Sequence, residues 1–276
     1  MPDVRQSTLA ALTAILIGGT LYSVAFNTFL DTSDPLLTSL PHPQHALSYF
    51  ARKQNILNQL FIKKSWGWTT AAFIALWTTS PREARTRGRF YKWVVATTVW
   101  LLFTTWFFGP AVGERVTALS GGQCVVRMPS GILVPVPSSY CVTREALSPA
   151  THPDIFPVAV VVPDGDWRTR PKLVRGHDIS GHVFLLTMSS LFLADQLHAT
   201  IALPNPTTIH SFAILTVCGL VSLWMFATYT TSVYFHTPIE KLTGYLVGVA
   251  GFLCTQLPFL QDPTPVEMNV EAGRRD

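Results

Sequence analysis

Six mostly apolar stretches divide this chain, and no other feature restricts its fold so strongly. They run over about 8–26, 64–80, 93–109, 179–203, 209–235 and 242–260. Crossing a bilayer takes about 20 apolar residues in a helix, because hydrocarbon offers no water to an open backbone. The second stretch is short for this unless residues 57–64 enter the interface. Ser80-Pro81 closes the second stretch, Gly109-Pro110 the third and Pro204 the fourth. The first reads as a retained helix. A cleaved signal peptide is the alternative, but Arg5 is a weak basic start and no clean small-x-small site follows. Charged residues make up only 13% of the chain and mean hydropathy is +0.31, whereas soluble domains carry about 25% charge. The expectation is an all-α integral membrane protein: a single membrane domain over 1–276, six transmembrane helices, and a long irregular luminal loop over 110–178 between the third and fourth.

Orientation follows from Lys and Arg in short loops. Arg82, Arg85, Arg87, Arg89 and Lys92 stand against one Glu83 between the second and third stretches, so that loop is expected in the cytosol. Counting outward puts both termini there, with Arg274 and Arg275 in the tail agreeing. The 110–178 loop then lies on the far side, the lumen for an endoplasmic reticulum protein. It is rich in Pro, Gly and Val and predicts short strands or an irregular cap. Cys124 and Cys141 both fall in it and could form a disulfide in an oxidising compartment; two free thiols are the alternative. Cys218 and Cys254 read as packing residues. The net charge of +4 is clumped, so no nucleic-acid partner is expected. No CxxC, HExxH, Walker A or GxGxxG pattern occurs, so no metal and no cofactor is expected.

Two of the eight histidines stand where helix ends meet the luminal face. His182 lies in GHDISGHVFLL and His236 in YFHTPIEK. At 1.5 Å per residue, the fourth stretch descends about 32 Å from His182 and the fifth climbs about 40 Å to His236. Both imidazoles therefore reach one level, on helices packed about 8–10 Å apart. The surroundings suit phosphate. Asp178 and Ser180 are N-cap candidates, Gly181 permits close backbone approach, and a helix N-terminus attracts an anion. Lys63, beside Lys64, adds positive charge at the entrance of the second stretch. The plain alternatives are an interfacial histidine, a lysine anchor and a capping aspartate; the conjunction argues for a site. Asp195 and Gln196, toward the cytosolic half of the fourth stretch, read as bonds to a neighbouring helix, with acylglycerol contact as the alternative. His198 and His210 lie too far away to take part.

These residues also carry a resemblance. DISGHVFLL resembles the second signature of the lipid phosphate phosphatases, P-S-G-H, with Ile179 replacing Pro. The chain is more closely similar to the fat storage-inducing transmembrane (FIT) family. The matching blocks are N-x-x-N-x-x-F-I-K at 55–63, W-G-W-T at 66–69, W-F-F-G-P at 106–110, D-I-S-G-H-x-F-L-L at 178–186 and Y-F-H-T-x-x-E-K-x-x-G at 234–244. The resemblance implies an endoplasmic reticulum acyl-CoA diphosphatase with a luminal site. It would cleave the CoA pyrophosphate to acyl 4′-phosphopantetheine and adenosine 3′,5′-bisphosphate, sustaining lipid balance and lipid-droplet formation. The family histidines fall on His182 and His236.

By analogy with the lipid phosphatases, His236 is the nucleophile and His182 the general acid. Glu240 would orient His236 if a helix continued through both, although Pro238 works against that. The Ser-Arg pair preceding the phosphatase histidine is absent, and Arg175 is the substitute on offer. His177 is incidental. Lys63, Ser180 and Gly181 would hold phosphate. The partners expected are a fatty acyl-CoA and membrane lipids, including di- or triacylglycerol. The rival readings are a phosphatase of phosphatidic or lysophosphatidic acid and a non-enzymatic acylglycerol-binding protein.

Overall fold

The computed structural model describes residues 3–30, 41–104, 111–156, 167–201 and 206–261. Six long helices coincide with the six apolar stretches: α1 (Val4–Ala25), α2 (Ser65–Thr79), α3 (Arg87–Thr104), α6 (Gly181–His198), α7 (Thr208–Tyr234) and α8 (Pro238–Cys254). Two of these, α1 and α7, are long and apolar enough to cross a membrane. Both turn large apolar side chains outward, among them Leu21, Ile209, Phe212 and Leu215. Such faces lack a polar coat and suit a lipid surround.

Helix α6 is the axis of the bundle. Every residue from Val183 to Leu197 is buried, and α1, α2, α3, α7 and α8 all pack on it. Phe192 fills the gap to α2 against Phe73, with ring centroids 5.4 Å apart, and against Trp66, at 6.0 Å. Close approach to α8 depends on small residues: a Cβ on Gly244 would stand 2.5 Å from the Ser180 carbonyl oxygen, and one on Gly248 2.7 Å from that of Phe184. Backbone contact of this kind is the usual reason for small residues at helix seams in membranes.

Several boundaries differ from the sequence expectation, for local reasons. Helix α3 starts at Arg87, well before position 93, so Arg89 and Lys92 are buried helix residues instead of loop charges. Both are compensated from α6: Lys92 Nζ lies 3.1 Å from Asp195 Oδ2, and Arg89 Nε donates to Gln196 Oε1 at 2.8 Å. Ahead of α2, a π turn at Leu57–Phe61 and a 3-10 turn at Ile62–Lys64 extend the short stretch backwards. Helix α6 ends at His198, and position 203 lies outside the described residues, as do the 106–110 block and the tail arginines. Helix α8 starts early, at Pro238, because Thr237 and Glu240 close a capping box around a proline in the first turn.

Over its described residues, 111–156 and 167–178, the long loop is not irregular: it takes the short-strand form of the two expected, with two short helices, so the protein is not wholly α. Helix α4 (Val112–Leu119), strands β1 (Gln123–Arg127) and β2 (Leu133–Pro135), helix α5 (Ser138–Thr143) and strand β3 (Lys172–Val174) form a cap. The strands make an antiparallel sheet in the order β2-β1-β3, with Val126 opposite Val134 and Cys124 opposite Leu173. The β1–β2 turn has Gly131 at φ +85, a conformation suited to glycine. Val126, Met128, Leu147 and Phe156 form the cap's own core, and a Cys124–Cys141 disulfide ties β1 to α5.

Candidate active site

The site lies where the start of α6 meets the turn between α7 and α8. Ser180 caps α6, its Oγ accepting from the Val183 N–H at 3.4 Å, and its own N–H donates to the Glu240 carbonyl at 3.1 Å. That bond fixes the start of α6 against the start of α8. Asp178, the other cap candidate, caps nothing; it lies two residues upstream and within electrostatic reach of His236. A Cβ on Gly181 would meet nothing within 4 Å, so the flank of the first helical turn is open.

His236 sits in a break between helices. Helix α7 ends at Tyr234, Phe235 is extended, and α8 begins at Pro238. Proline drives the residue before it out of the helical region, and Thr237 is accordingly extended, at φ −70 and ψ 160. His236 itself takes a left-handed φ of 62, which costs about 1–3 kcal/mol for a non-glycine residue and marks functional sites when its surroundings enforce it. Here they do. Thr28 Oγ1 donates to the Val233 carbonyl at 2.7 Å, and the Leu30 N–H donates to the Tyr234 carbonyl at 3.0 Å. His42 Nε2 reaches the same Tyr234 oxygen at 2.6 Å.

The turn brings the imidazoles of His236 and His182 to 6.5 Å between centroids, with ring planes at 78°. This is the spacing of an edge-to-face pair, so both rings can address one phosphorus placed against them, a nucleophile on one ring and an acid on the other. Glu240 Oε2 is 3.4 Å from His236 Nδ1. The contact does not need the continuous helix that the sequence argument required: the capping box folds the carboxylate back over the turn, where it also accepts the Thr237 N–H at 2.9 Å. Glu240 is buried at 3% exposure.

Charge around the pair is mixed. Lys63 is exposed, donates to Gln59 Oε1 at 3.0 Å and lies within electrostatic reach of His182. Asp178 keeps solvent access on one side. Even so, the protein packed around its carboxyl lifts its pKa above the ordinary carboxylate value; His236 opposes that shift and Glu240 adds to it. Arg175 belongs to the cap, in contact with Gln123 Oε1 at 3.4 Å, and lines a cavity there that includes Asp178 and neither histidine. His177 has a structural place: its Nε2 is 3.0 Å from Thr243 Oγ1, and its N–H donates to Ser120 Oγ at 2.7 Å.

His42 carried no assigned role in the sequence, where no motif surrounds it. It is 2% exposed, with both nitrogens engaged: Nδ1 accepts the Gln44 N–H at 2.9 Å, so Nε2 carries the proton given to Tyr234. Burial lowers its pKa below the ordinary 6.5; the Tyr234 bond opposes this, and Lys53 and His45 reinforce it. The neutral form therefore belongs to the fold. Its contribution is complete above pH 6.5 and is lost below that, as the unfolded chain takes up a proton the folded chain excludes. Thermal melts of the wild type are expected to weaken on acidification from pH 7 to 5.5. In His42→Gln the melting temperature should be lower at pH 7 and this part of the slope absent. An unchanged slope would show that His42 does not clamp the turn.

Comparison with known proteins places these residues in a wider setting. A family model described as fat storage-inducing transmembrane protein matches residues 46–214 and 202–255. An acyl-coenzyme A diphosphatase of Schizosaccharomyces pombe is 32% identical over 203 residues, covering 73% of this chain and 70% of the relative. An acyl-coenzyme A diphosphatase of Danio rerio is 31% identical over 216 residues, 75% of this chain and 73% of the relative. Fat storage-inducing transmembrane protein 1 of Homo sapiens is 25% identical over 239 residues, 83% and 70% respectively. No solved structure matches the chain.

Proposed function

Since the chain belongs to the fat storage-inducing transmembrane family, we infer that it is an acyl-CoA diphosphatase that works through the His182–His236 pair. The reaction hydrolyses the CoA pyrophosphate to acyl 4′-phosphopantetheine and adenosine 3′,5′-bisphosphate. The observation that carries the mechanism is the pairing itself: two imidazoles 6.5 Å apart, one backed by a buried carboxylate, beside a first helical turn with an open flank.

His236 Nδ1 is buried without a hydrogen bond in the resting structure, 3.4 Å from Glu240; closing of that contact as substrate binds puts the proton on Nδ1 and leaves the Nε2 lone pair free. That lone pair attacks one phosphorus of the pyrophosphate. The anhydride P–O bond breaks, its electrons pass to the departing phosphate oxygen, and His182 protonates that oxygen. Water then attacks the phosphohistidine, His182 takes its proton, and the P–N bond breaks to restore His236. Gly181 and the free N–H groups of the first turn of α6 face the phosphate oxygens, and Lys63 adds charge; Ser180, fully buried, holds that end of the helix in place through its cap and its bond to the Glu240 carbonyl.

The six long helices are read as six spans of the endoplasmic reticulum membrane, both termini cytosolic, with the histidines and the cap on the luminal side. The arginines at 82, 85 and 87 support this orientation. The acyl chain lies in the bilayer or against the apolar helices, and hydrolysis there serves lipid balance and droplet formation. The test is turnover of oleoyl-CoA by purified protein in detergent, with products identified by mass. Acyl phosphopantetheine and adenosine 3′,5′-bisphosphate are expected. Phosphate released from phosphatidic acid alone would assign a lipid phosphatase instead. Folded protein that turns over neither would favour acylglycerol binding.

A further inference from the structure

Beside the histidines, the cap holds a cavity of about 530 Å³ between α4, α5 and β3. Arg144, Arg170, Lys172 and Arg175 line it, against Glu114 and Asp178. Glu114 is spent on Arg144 in an ion pair. Arg170 and Lys172 have no ion-pair partner among the described residues. An uncompensated group of cations on a concave surface concentrates positive potential and draws in an anion. Nothing in the reaction at the histidines uses it.

Resting on the acyl-CoA reading above, we propose that this cavity is a second anion subsite, which takes the 3′-phosphate of the substrate's nucleotide end on Arg170, Lys172 and Arg175. Three observations carry the assignment. The cavity neighbours the site: Asp178 belongs to its lining and lies within electrostatic reach of His236. A further cation stands near each: Lys53 lies close enough to Lys172 to feel its charge, and Lys63 reaches His182. The wall is also pre-formed. Lys172 is held in β3 opposite Val125, and Cys141 in the lining is tied to β1 by the disulfide. A guanidinium pair and an ammonium suit a phosphate monoester dianion, which Arg can grip through two N–H groups at once. The pyrophosphate alone would leave these cations empty; a substrate with a further phosphate beyond the scissile bond fills them.

The probe is adenosine 3′,5′-bisphosphate, with adenosine 5′-monophosphate as control, titrated into the full chain in nanodiscs by calorimetry. The wild type is expected to bind the bisphosphate at least about tenfold tighter, the effect of one or two charge-assisted bonds. Arg170→Gln/Lys172→Gln/Arg175→Gln should lose that preference, while His236→Ala keeps it. In turnover, 3′-dephospho-oleoyl-CoA should show a KM about tenfold above oleoyl-CoA in the wild type. The triple variant should show equal KM values and a kcat close to the wild type. Should the triple variant fail to fold, Arg170→Gln and Lys172→Gln singly carry the test, each with a smaller loss of preference. A variant that keeps the full wild-type preference overturns the subsite. If the wild type hydrolyses no acyl-CoA yet binds the bisphosphate through these cations, the reaction fails and the subsite stands.

Discussion

His236→Ala lowers oleoyl-CoA hydrolysis by at least about 10³-fold, and His182→Ala falls in the same range. Both variants should remain folded. Both imidazoles keep some solvent access, His236 at 14% side-chain exposure, and neither fills the core built around Phe73, Phe192 and Trp224. Because nucleophile and acid act on the same bond, the double variant should be scarcely worse than either single one. Glu240→Gln separates catalysis from architecture. Glutamine at this place still accepts the Thr237 N–H and keeps the capping box, but it removes the charge 3.4 Å from His236 Nδ1. The expected result is an unchanged melting temperature with kcat down about 10- to 100-fold. Product mass spectrometry of each variant, alongside thermal melts, checks the set. Normal turnover in either histidine variant would sink the mechanism.

The parts legible in the sequence were those governed by long-range regularity. The length of the apolar stretches places six helices, and the two histidine blocks sit at helix ends that geometry brings to one level. The turn between α7 and α8 was harder to read. Pro238 argued against a helix running from His236 to Glu240, and the helix is indeed broken there. The carboxylate reaches the imidazole through the capping box, a route that helical spacing does not describe. Arg89 and Lys92 were misplaced because charge usually marks a loop, and only a partner 103 residues away in sequence, Asp195 for Lys92, makes burial tolerable. The cap was the least legible. Its strands are three to five residues long, so no periodicity develops, and its sheet depends on pairing between β1 and a β3 that follows far later in the chain. Lys241 shows the same limit. It stands in the FIT-like block, but only the fold reveals that it is fully buried, with Nζ donating to Ser23 Oγ at 2.9 Å and the Ser232 carbonyl at 2.6 Å. It locks α1 to α7 and α8 behind the site instead of entering it.

Asp195→Ala should destabilise the protein by about 3–5 kcal/mol, the usual cost of leaving a buried charge without its partner. Asp195 is 5% exposed, 3.1 Å from Lys92 and 3.5 Å from Arg5. The two cations do not lose equally. Arg5 keeps Asp3 at 2.8 Å and some solvent, whereas Lys92 is buried at 7% exposure with its ammonium aimed at the vacated place. The double change Asp195→Leu/Lys92→Met removes both charges and should recover most of the loss, as paired replacement of a buried ion pair commonly does. Melts in detergent across this two-by-two set measure the coupling directly. Catalysis supplies the second readout. Asp195 follows His182 by thirteen residues on one helix, about 20 Å along the axis, so whatever Asp195→Ala protein remains folded should turn over acyl-CoA at the wild-type rate. Loss of turnover at full stability would overturn the structural assignment and return Asp195 to a direct part in handling lipid within the bundle.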